Sequence, residues 1–458
     1  MKKIISVLLV LMMLFSLAAC NGKDVSNTAN EAKESKEASE TKEDSVIATE
    51  IAKPVEIEFW HAMSGGNEEA LKEIVEDFNK QNDKVTVKMV YQGHYKELFQ
   101  KLTGAAKAGQ LPVLTQIFPN RMTAYVMNDL GEDLTPYINN EKVGFTEEDL
   151  KDIPNVFKKG IWDGKFYTMP CNKSAYLLFY NKDILDKYDV EVPTTWDELR
   201  TAAEKLTVDT DGDGKSDIIG VGFNKSVGID FSFWVEQAGG HLISEDEKTI
   251  TFNSEAGVEA FDFVSGMVKD GVAKVAGEEK YSYVPFARGE AAMMVSSTSK
   301  LPYLEEAIGD NNIQWKAAVL PKGKKQAALF SGTDMAMFNT HSPEEKLAGW
   351  EFMKYFMSKD ATIKWGKNSG YLPVRYSALE SEDFKNYLKE NPAKGEALKE
   401  FDYGFRDPKI LNGYAIHKNM QKALEAVILG EKTSKEALDE ARDKAREELD
   451  EAMKNFGK

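Results

Sequence analysis

The chain has 458 residues, 42% of them hydrophobic, two cysteines and a formal net charge of −17. Acidity of this size argues against nucleic acid and anionic lipid surfaces as partners, because both attract basic protein faces. Two cysteines exclude a disulfide framework, and the length from residue 51 onward, about 400 residues, is that of two domains.

Lys2 and Lys3 precede a nearly unbroken apolar run, Ile4 to Leu17, and then Ala18, Ala19 and Cys20. This is the layout of a secretory signal, and it is shorter than the roughly 20 apolar residues that span a bilayer. Small residues directly before a cysteine resemble the lipobox of bacterial lipoproteins, so Cys20 is expected to be acylated after cleavage. The mature chain then carries −19 (−17 minus 2 for the two lysines) and is held at the outer face of the cell membrane. Acyl chains anchor well because each buried methylene contributes roughly 0.8 kcal/mol. Residues 21–50 contain no aromatic residue and are rich in Glu, Lys, Ser, Thr and Ala. Such a segment buries too little apolar surface to offset its ordering entropy, so it is expected to be a disordered tether, on the order of 100 Å when extended. Cys171, left alone, reads as a small core residue.

"VEIEFWHAM" from Val55 alternates apolar and polar residues and reads as a strand ending in a loop. Leu71, Ile74, Val75 and Phe78 recur at helical spacing over 67–80. A strand at "KVTVKMVYQG", a helix over 94–108 stopped by Gly109 and a strand at "LPVLTQIF" follow. This alternation predicts a parallel sheet covered on both faces, with ligands bound beyond the carboxyl ends of its strands. Those ends lie near Trp60-His61, Gly93–Tyr95 and Phe118–Asn120. A strongly apolar strand follows "DGKFYTMPCNK". "PTTWDELRTAAEKL" opens a helix with Thr195 at its N-cap and Glu198 three residues on, a capping box. "GEAAMMVSSTS", "WKAAVLPKG" and "ALFSGTDMAMF" read as three further strands. "SPEEKLAGWEFMKYFMS" is a helix capped by Ser342 with Pro343 in its first turn, and the last 25 residues are charged and helical.

The sharpest local motif is "DTDGDGKSD". Asp209, Asp211, Asp213, Gly214, the Lys215 carbonyl and Asp217 match positions 1, 3, 5, 6, 7 and 9 of an EF-hand loop. Gly220 replaces the bidentate glutamate at position 12. The motif predicts a structural Ca2+ ion, the alternative being a solvated acidic turn. No catalytic motif stands out: the chain lacks HExxH, a Walker loop, GxSxG and GxGxxG. A non-enzyme is therefore expected. Aromatics gather near predicted strand ends and loops, among them Trp60, Tyr95, Phe118, Trp234, Tyr371 and Tyr414, and aromatic faces suit the apolar faces of sugar rings. Each of these, like His61, is otherwise accounted for as a structural residue.

In order, "FWHAMSG", "YQGHYKELFQKL", "MPCNKSAYLLFYNKD", "PTTWDELRTAAEKL", "ARGEAAMMVSSTS", "ALFSGTDMAMF" and "NSGYLPVR" resemble the extracellular solute-binding proteins of bacterial ABC importers. The likeness is to the carbohydrate group that includes maltose and glycerol-3-phosphate binders. The resemblance implies an α/β fold of the type II periplasmic-binding-protein kind, with two lobes joined by a hinge. It places lobe 1 at 51–165 and 322–370 and lobe 2 at 166–321 and 371–458, with crossings near 163–168, 318–324 and Gly370. It implies ligand contacts at Tyr95, Ser174, Ser297, Gly332 and Tyr371. The chain departs from the group at "FPN" (118–120), where a glutamate is expected, at "SVGI" (226–229), where two tryptophans are, and at Lys409, where an arginine is. An arginine grips phosphate bidentately and a lysine does not, which favours a neutral sugar or oligosaccharide over a glycerol phosphate or glycerophosphodiester. His61, Asp334 beside the hinge, Trp234 as a stacking ring and Lys409 complete the expected ligand set. The expected partners are a carbohydrate or polyol and the permease subunits of an importer, with the receptor a monomer.

Overall fold

The computed structural model describes residues 47–158, 160–244 and 247–456. The leader, Cys20 and residues 21–46 of the tether lie outside the described residues. Ile47 and Ala48, placed in the tether by composition, pack against the core, and Ile51 is buried. Among the described residues no helix is long and apolar enough to cross a membrane.

The strands, in chain order, are β1 (Val55–His61), β2 (Val85–Tyr91), β3 (Leu114–Ile117), β4 (Ile161–Trp162), β5 (Lys165–Phe166), β6 (Thr168–Pro170) and β7 (Ser174–Asn181). After them come β8 (Ile219–Phe223), β9 (Ala273–Val275), β10 (Ala291–Ser297), β11 (Trp315–Ala318), β12 (Ala328–Ser331), β13 (Asp334–Met337) and β14 (Gly404–Phe405). They form a five-stranded sheet of order β2-β1-β3-β13-β6 and a seven-stranded sheet of order β14-β12-β7-β10-β8-β9, with β11 also on β7. β4 and β5 make a small hairpin. The first sheet is not wholly parallel as expected. β1 pairs β2 and β3 in parallel, but β13 runs antiparallel between β3 and β6, because it enters from the other lobe and not through a covering helix.

β7 explains its own sequence. Ala175, Leu177 and Phe179 belong to the core that surrounds the first sheet, while Tyr176 and Leu178 face the core of the second. A strand buried on both faces has no polar alternation to show. The helix caps follow the sequence. Thr195 and Glu198 form a reciprocal capping box on Trp196–Leu206, Ser342 and Glu345 another on Pro343–Phe356, and Gly109 closes Tyr95–Ala108 at φ +66.

The crossings differ from expectation. Residues 168–170 pair with β13 in the first sheet, so the chain changes lobe at 171–173, not at 163–168. "ALFSGTDMAMF" is two strands in two sheets. β12 pairs β7 and β14, β13 pairs β3 and β6, and the change falls at Gly332 and Thr333, not at 318–324. Gly332 sits at φ +122, and a Cβ there would stand 1.7 Å from the Asn172 carbonyl oxygen. Only glycine allows the two crossings to lie this close. The third passage begins near Gly370. Lys359–Asn368 packs on the Gly66–Gln81 helix of lobe 1, and Pro392–Leu398 packs on β7 and β11 of lobe 2. Asn172 N donates to Thr333 O (3.0 Å) and Leu372 N to Lys173 O (2.7 Å), so the three crossing strands are stitched side by side.

Candidate functional site

The hinge gathers a hydroxyl cluster. Tyr95 opens the helix after β2, and its hydroxyl lies 3.4 Å from Thr333 Oγ1. Asn172 Nδ2 donates to the Tyr95 hydroxyl (3.3 Å) and to Thr333 Oγ1 (2.9 Å). Tyr371 lies beside Tyr95, and its ring stacks on Trp365 at 5.4 Å and 10°. Burial raises both phenol pKa values, so both remain neutral O–H groups able to donate or accept. Beside them lies a row of serines. Ser174 starts β7 and Ser297 ends the neighbouring β10. Ser297 Oγ donates to Ser174 Oγ (2.9 Å) and lies 3.1 Å from Ser299 Oγ. Four of the predicted contacts, Tyr95, Ser174, Ser297 and Tyr371, thus meet where the lobes meet, with Gly332 setting the distance between the crossings.

A charge hub sits under this surface. Lys173 Nζ bonds Asp334 Oδ1, Thr168 Oγ1 donates to Asp334 Oδ2 (2.7 Å), and Arg406 Nη2 stands 3.3 and 3.4 Å from the two carboxylate oxygens. All three charged side chains are buried. Burial and the Arg406 charge push Lys173 down to about 8. Despite its burial, Asp334 is held below the usual carboxylate range by Arg406 and Lys173. Two cations meet one carboxylate, and among the described residues the buried Arg406 Nη1 has no hydrogen-bond partner.

Asp334 is therefore not an open acceptor for sugar hydroxyls, as the sequence suggested, because its oxygens are taken by Lys173, Arg406 and Thr168. Trp234 is fully buried among Trp196, Phe223, Phe233 and Phe263 and has no face left for a sugar ring. His61 is 1% exposed and packs between Phe59 and Tyr91. Burial lowers its pKa to about 4, so the ring is neutral, and among the described residues its Nδ1 has no hydrogen-bond partner. Lys409 Nζ bonds Ile161 O and lies 4.9 Å over the Trp162 ring, which ties the 404–414 segment to lobe 1. In the acidic loop, Asp209, Asp211 and Asp217 each bring one oxygen within 4.8 Å of the others. Asp213 is outside this group and accepts from Lys215 N (2.8 Å). Its carboxylate would have to turn to join the set, so the loop fits an EF-hand cation in part.

An opening adjoins the cluster. A cavity of about 820 Å³ lies between Phe99, Arg121 and Tyr125 of lobe 1 and Leu411, Asn412 and Glu448 of lobe 2, within the size range of small-molecule sites. It begins one helical turn beyond Tyr95, whose ring stacks on Phe99 at 5.9 Å and meets Phe118 at 4.9 Å. The Arg121 guanidinium lies 5.5 Å from the Phe99 ring and 5.2 Å from that of Tyr414, bridging the lobes. None of the ligand contacts expected from sequence lines this cavity. Asn172 and Lys173 fall within a quoted motif and Thr333 adjoins Gly332, but only the crossing geometry shows their roles. Arg121 and Arg406 have no signal in the sequence.

A family model described as bacterial extracellular solute-binding protein matches residues 73–393. The sn-glycerol-3-phosphate-binding periplasmic protein UgpB of Rhizobium meliloti is 25% identical over 420 residues, covering 87% of this chain and 95% of its own. Among solved structures, the substrate-binding protein Lmo0181 of Listeria monocytogenes, in complex with cycloalternan, superposes with a TM-score of 0.75 at 23% identity. That match covers 87% of this chain and 99% of its own. UgpB of Mycobacterium tuberculosis, in complex with glycerophosphocholine, gives 0.74 at 20% identity with coverage of 87% and 99%. The likeness to these structures concerns the fold, which is of the type II periplasmic-binding-protein kind. The family match spans more than half of the sequence: this chain belongs to the bacterial extracellular solute-binding proteins.

Proposed function

We propose that the protein captures a carbohydrate, a sugar or oligosaccharide, outside the cell and delivers it to the permease subunits of an ABC importer without changing it chemically. The observation that carries this reading is the meeting of Tyr95, Asn172, Thr333 and Tyr371 with Ser174 and Ser297 at three stitched crossings. Neutral hydroxyls and an amide, flanked by the Phe118 and Phe99 rings, suit a polyol with apolar ring faces. A solute touching both lobes favours the closed form by its differential affinity. The cycloalternan held by Lmo0181 lends support by analogy.

A second reading, a glycerol phosphate or glycerophosphodiester in the same cleft, is favoured by the surplus cation of the Lys173–Asp334–Arg406 hub and by the name of the R. meliloti relative. A thermal-shift panel of mono- and oligosaccharides, glycerol phosphates and glycerophosphodiesters tests both. The true solute raises Tm by mass action, equivalent to about 2.7 kcal/mol at a hundredfold excess over Kd. A flat response across the panel contradicts the proposal. Acylation of Cys20 anchors the receptor, which works as a monomer, and Ca2+ in the 209–217 loop stabilises it. A mass shift on the mature N-terminus and a Tm drop on chelation are the respective checks.

A further inference from the structure

Lobe 2 reaches across the cleft along one segment, 404–414. The segment begins at β14, which pairs β12. It ends in the Tyr414–Ile428 helix, which packs on the Val227–Gln237 and Glu255–Lys269 helices of the same lobe. Between these anchors it makes contacts with lobe 1 that start at the hinge. Arg406 reaches Asp334, two residues after Gly332. Lys409 Nζ bonds Ile161 O, and Thr123 Oγ1 bonds Lys409 O while accepting from Trp162 Nε1 (3.0 Å). The last contact is that of Tyr414 with Arg121.

Arg121 lies in the Pro119–Met127 helix of lobe 1. Its guanidinium is 5.5 Å from the Phe99 ring of its own lobe and 5.2 Å from the Tyr414 ring of the other. Among the described residues it makes no ion pair and no side-chain hydrogen bond, and burial lowers its pKa. A partly desolvated guanidinium is attracted to aromatic faces, and here it has one from each lobe. Asn412 turns the chain at φ +56 just before the helix, and Tyr414 at the helix start is 49% exposed. Lobe 2 therefore presents a large ring outward, and Arg121 is what it meets. Arg121 also lines the interlobe cavity, whereas Tyr95, Asn172, Tyr371 and the serine row do not.

We propose that Arg121 is a positioning residue for capture: it draws Tyr414 against Phe99 as the lobes close, and so sets affinity without touching the solute. This rests on the proposed solute-capturing role. Rotation about the crossings parts Arg121 from Tyr414, so their contact belongs to the closed form and its free energy enters the closing equilibrium. The apparent Kd of every solute is then scaled by one common factor. A residue that touched the solute would instead alter one solute relative to another.

Two measurements test this. The first needs no solute. In the chain carrying Cys20→Ser, Asn120→Cys and Gly413→Cys, the rate of disulfide formation reports how often the lobes close, because a Cβ on Gly413 stands 3.4 Å from Asn120 Cβ. Arg121→Ala and Tyr414→Leu should each slow trapping by about three- to tenfold, and Tyr414→Phe should stay within about twofold of the parent. Arg121→Lys, which keeps the charge and loses the planar face, falls between. Arg121→Ala with Tyr414→Leu is no slower than either alone, as for one shared contact. Equal rates with and without Arg121, or losses that simply add, overturn the latch. The second measurement is calorimetry with maltose, maltotriose, sn-glycerol 3-phosphate and glycerophosphocholine. Each probe that binds the wild type should weaken in Arg121→Ala by the factor that slows trapping. A changed order of affinities, or a loss far beyond that factor, places Arg121 on the solute and overturns the proposal. If no probe binds the wild type, it is the solute-capturing role that fails, and the trapping rates still decide the latch.

Discussion

At the scale of single residues, the cleft is governed by buried charge. Asp334 holds Lys173 and Arg406 together in a dry place, and removing one member of such a set leaves the others uncompensated. Asp334→Asn is expected to destabilise the fold by about 3–5 kcal/mol in urea unfolding, with part of the loss recovered when Lys173→Met is added. A single variant within about 0.5 kcal/mol of wild type, the usual spread of surface changes, would show that the hub is not held by charge. Lys173, Lys300 and Lys394 are each pushed down to about 8, chiefly by burial. Lys394 spends its protons on Gly366 O, Ser369 O and the Tyr387 hydroxyl. Between about pH 8 and the usual lysine value of 10.5, the unfolded chain binds protons that the folded chain has lost. These groups therefore make stability rise with pH across that window. Lys300→Met should raise Tm by on the order of 1–3 °C below pH 8, with the advantage fading towards pH 10. A gain that is the same at both ends of a pH series of melting curves contradicts the assignment.

At the scale of elements, Gly332 is the tightest constraint. Its positive φ, and the 1.7 Å that would separate an added Cβ from Asn172 O, leave no room for alanine. Gly332→Ala should cost roughly 3 kcal/mol or more, combining backbone strain with separation of two crossings. Equilibrium unfolding reads the cost, and a loss below about 1 kcal/mol would mean that the crossings slide apart freely. Elements with a local cause were legible in the sequence. The Thr195 and Ser342 capping boxes, the Gly109 stop and the helical spacing of Leu71, Ile74, Val75 and Phe78 all lie within a few residues of their partners. What failed was non-local. "ALFSGTDMAMF" looks continuous because both halves are apolar, and only pairing with β7 on one side and β3 on the other divides it. Trp234 and Asp334 look like ligand contacts by residue type, yet the first is enclosed by rings from four places in the chain and the second by cations 161 and 72 positions away. Ser174 and Ser297 came from family likeness alone, since no periodicity marks them, whereas Tyr95 and Tyr371 also stood among the aromatics near predicted strand ends and loops.

At the scale of the whole molecule, two lobes share three short crossings and meet again at the far side of the cleft. There Arg121 lies between Phe99 and Tyr414, and a Cβ placed on Gly413 stands 3.4 Å from Asn120 Cβ. That separation is close to the roughly 3.5–4.5 Å between the Cβ atoms of a disulfide, so Asn120→Cys with Gly413→Cys provides a lock for the closed form. Cys171 is buried, and its thiol pKa is raised by that burial, so it does not compete. Whether the hinged lobes close on their solute is read by small-angle X-ray scattering of the free, solute-bound and disulfide-locked protein. Hinge closure requires a larger radius of gyration for the free protein and a fall to the locked value when the solute identified by thermal shift is added. Scattering from the free protein that already matches the locked form, and stays unchanged with solute, would contradict it.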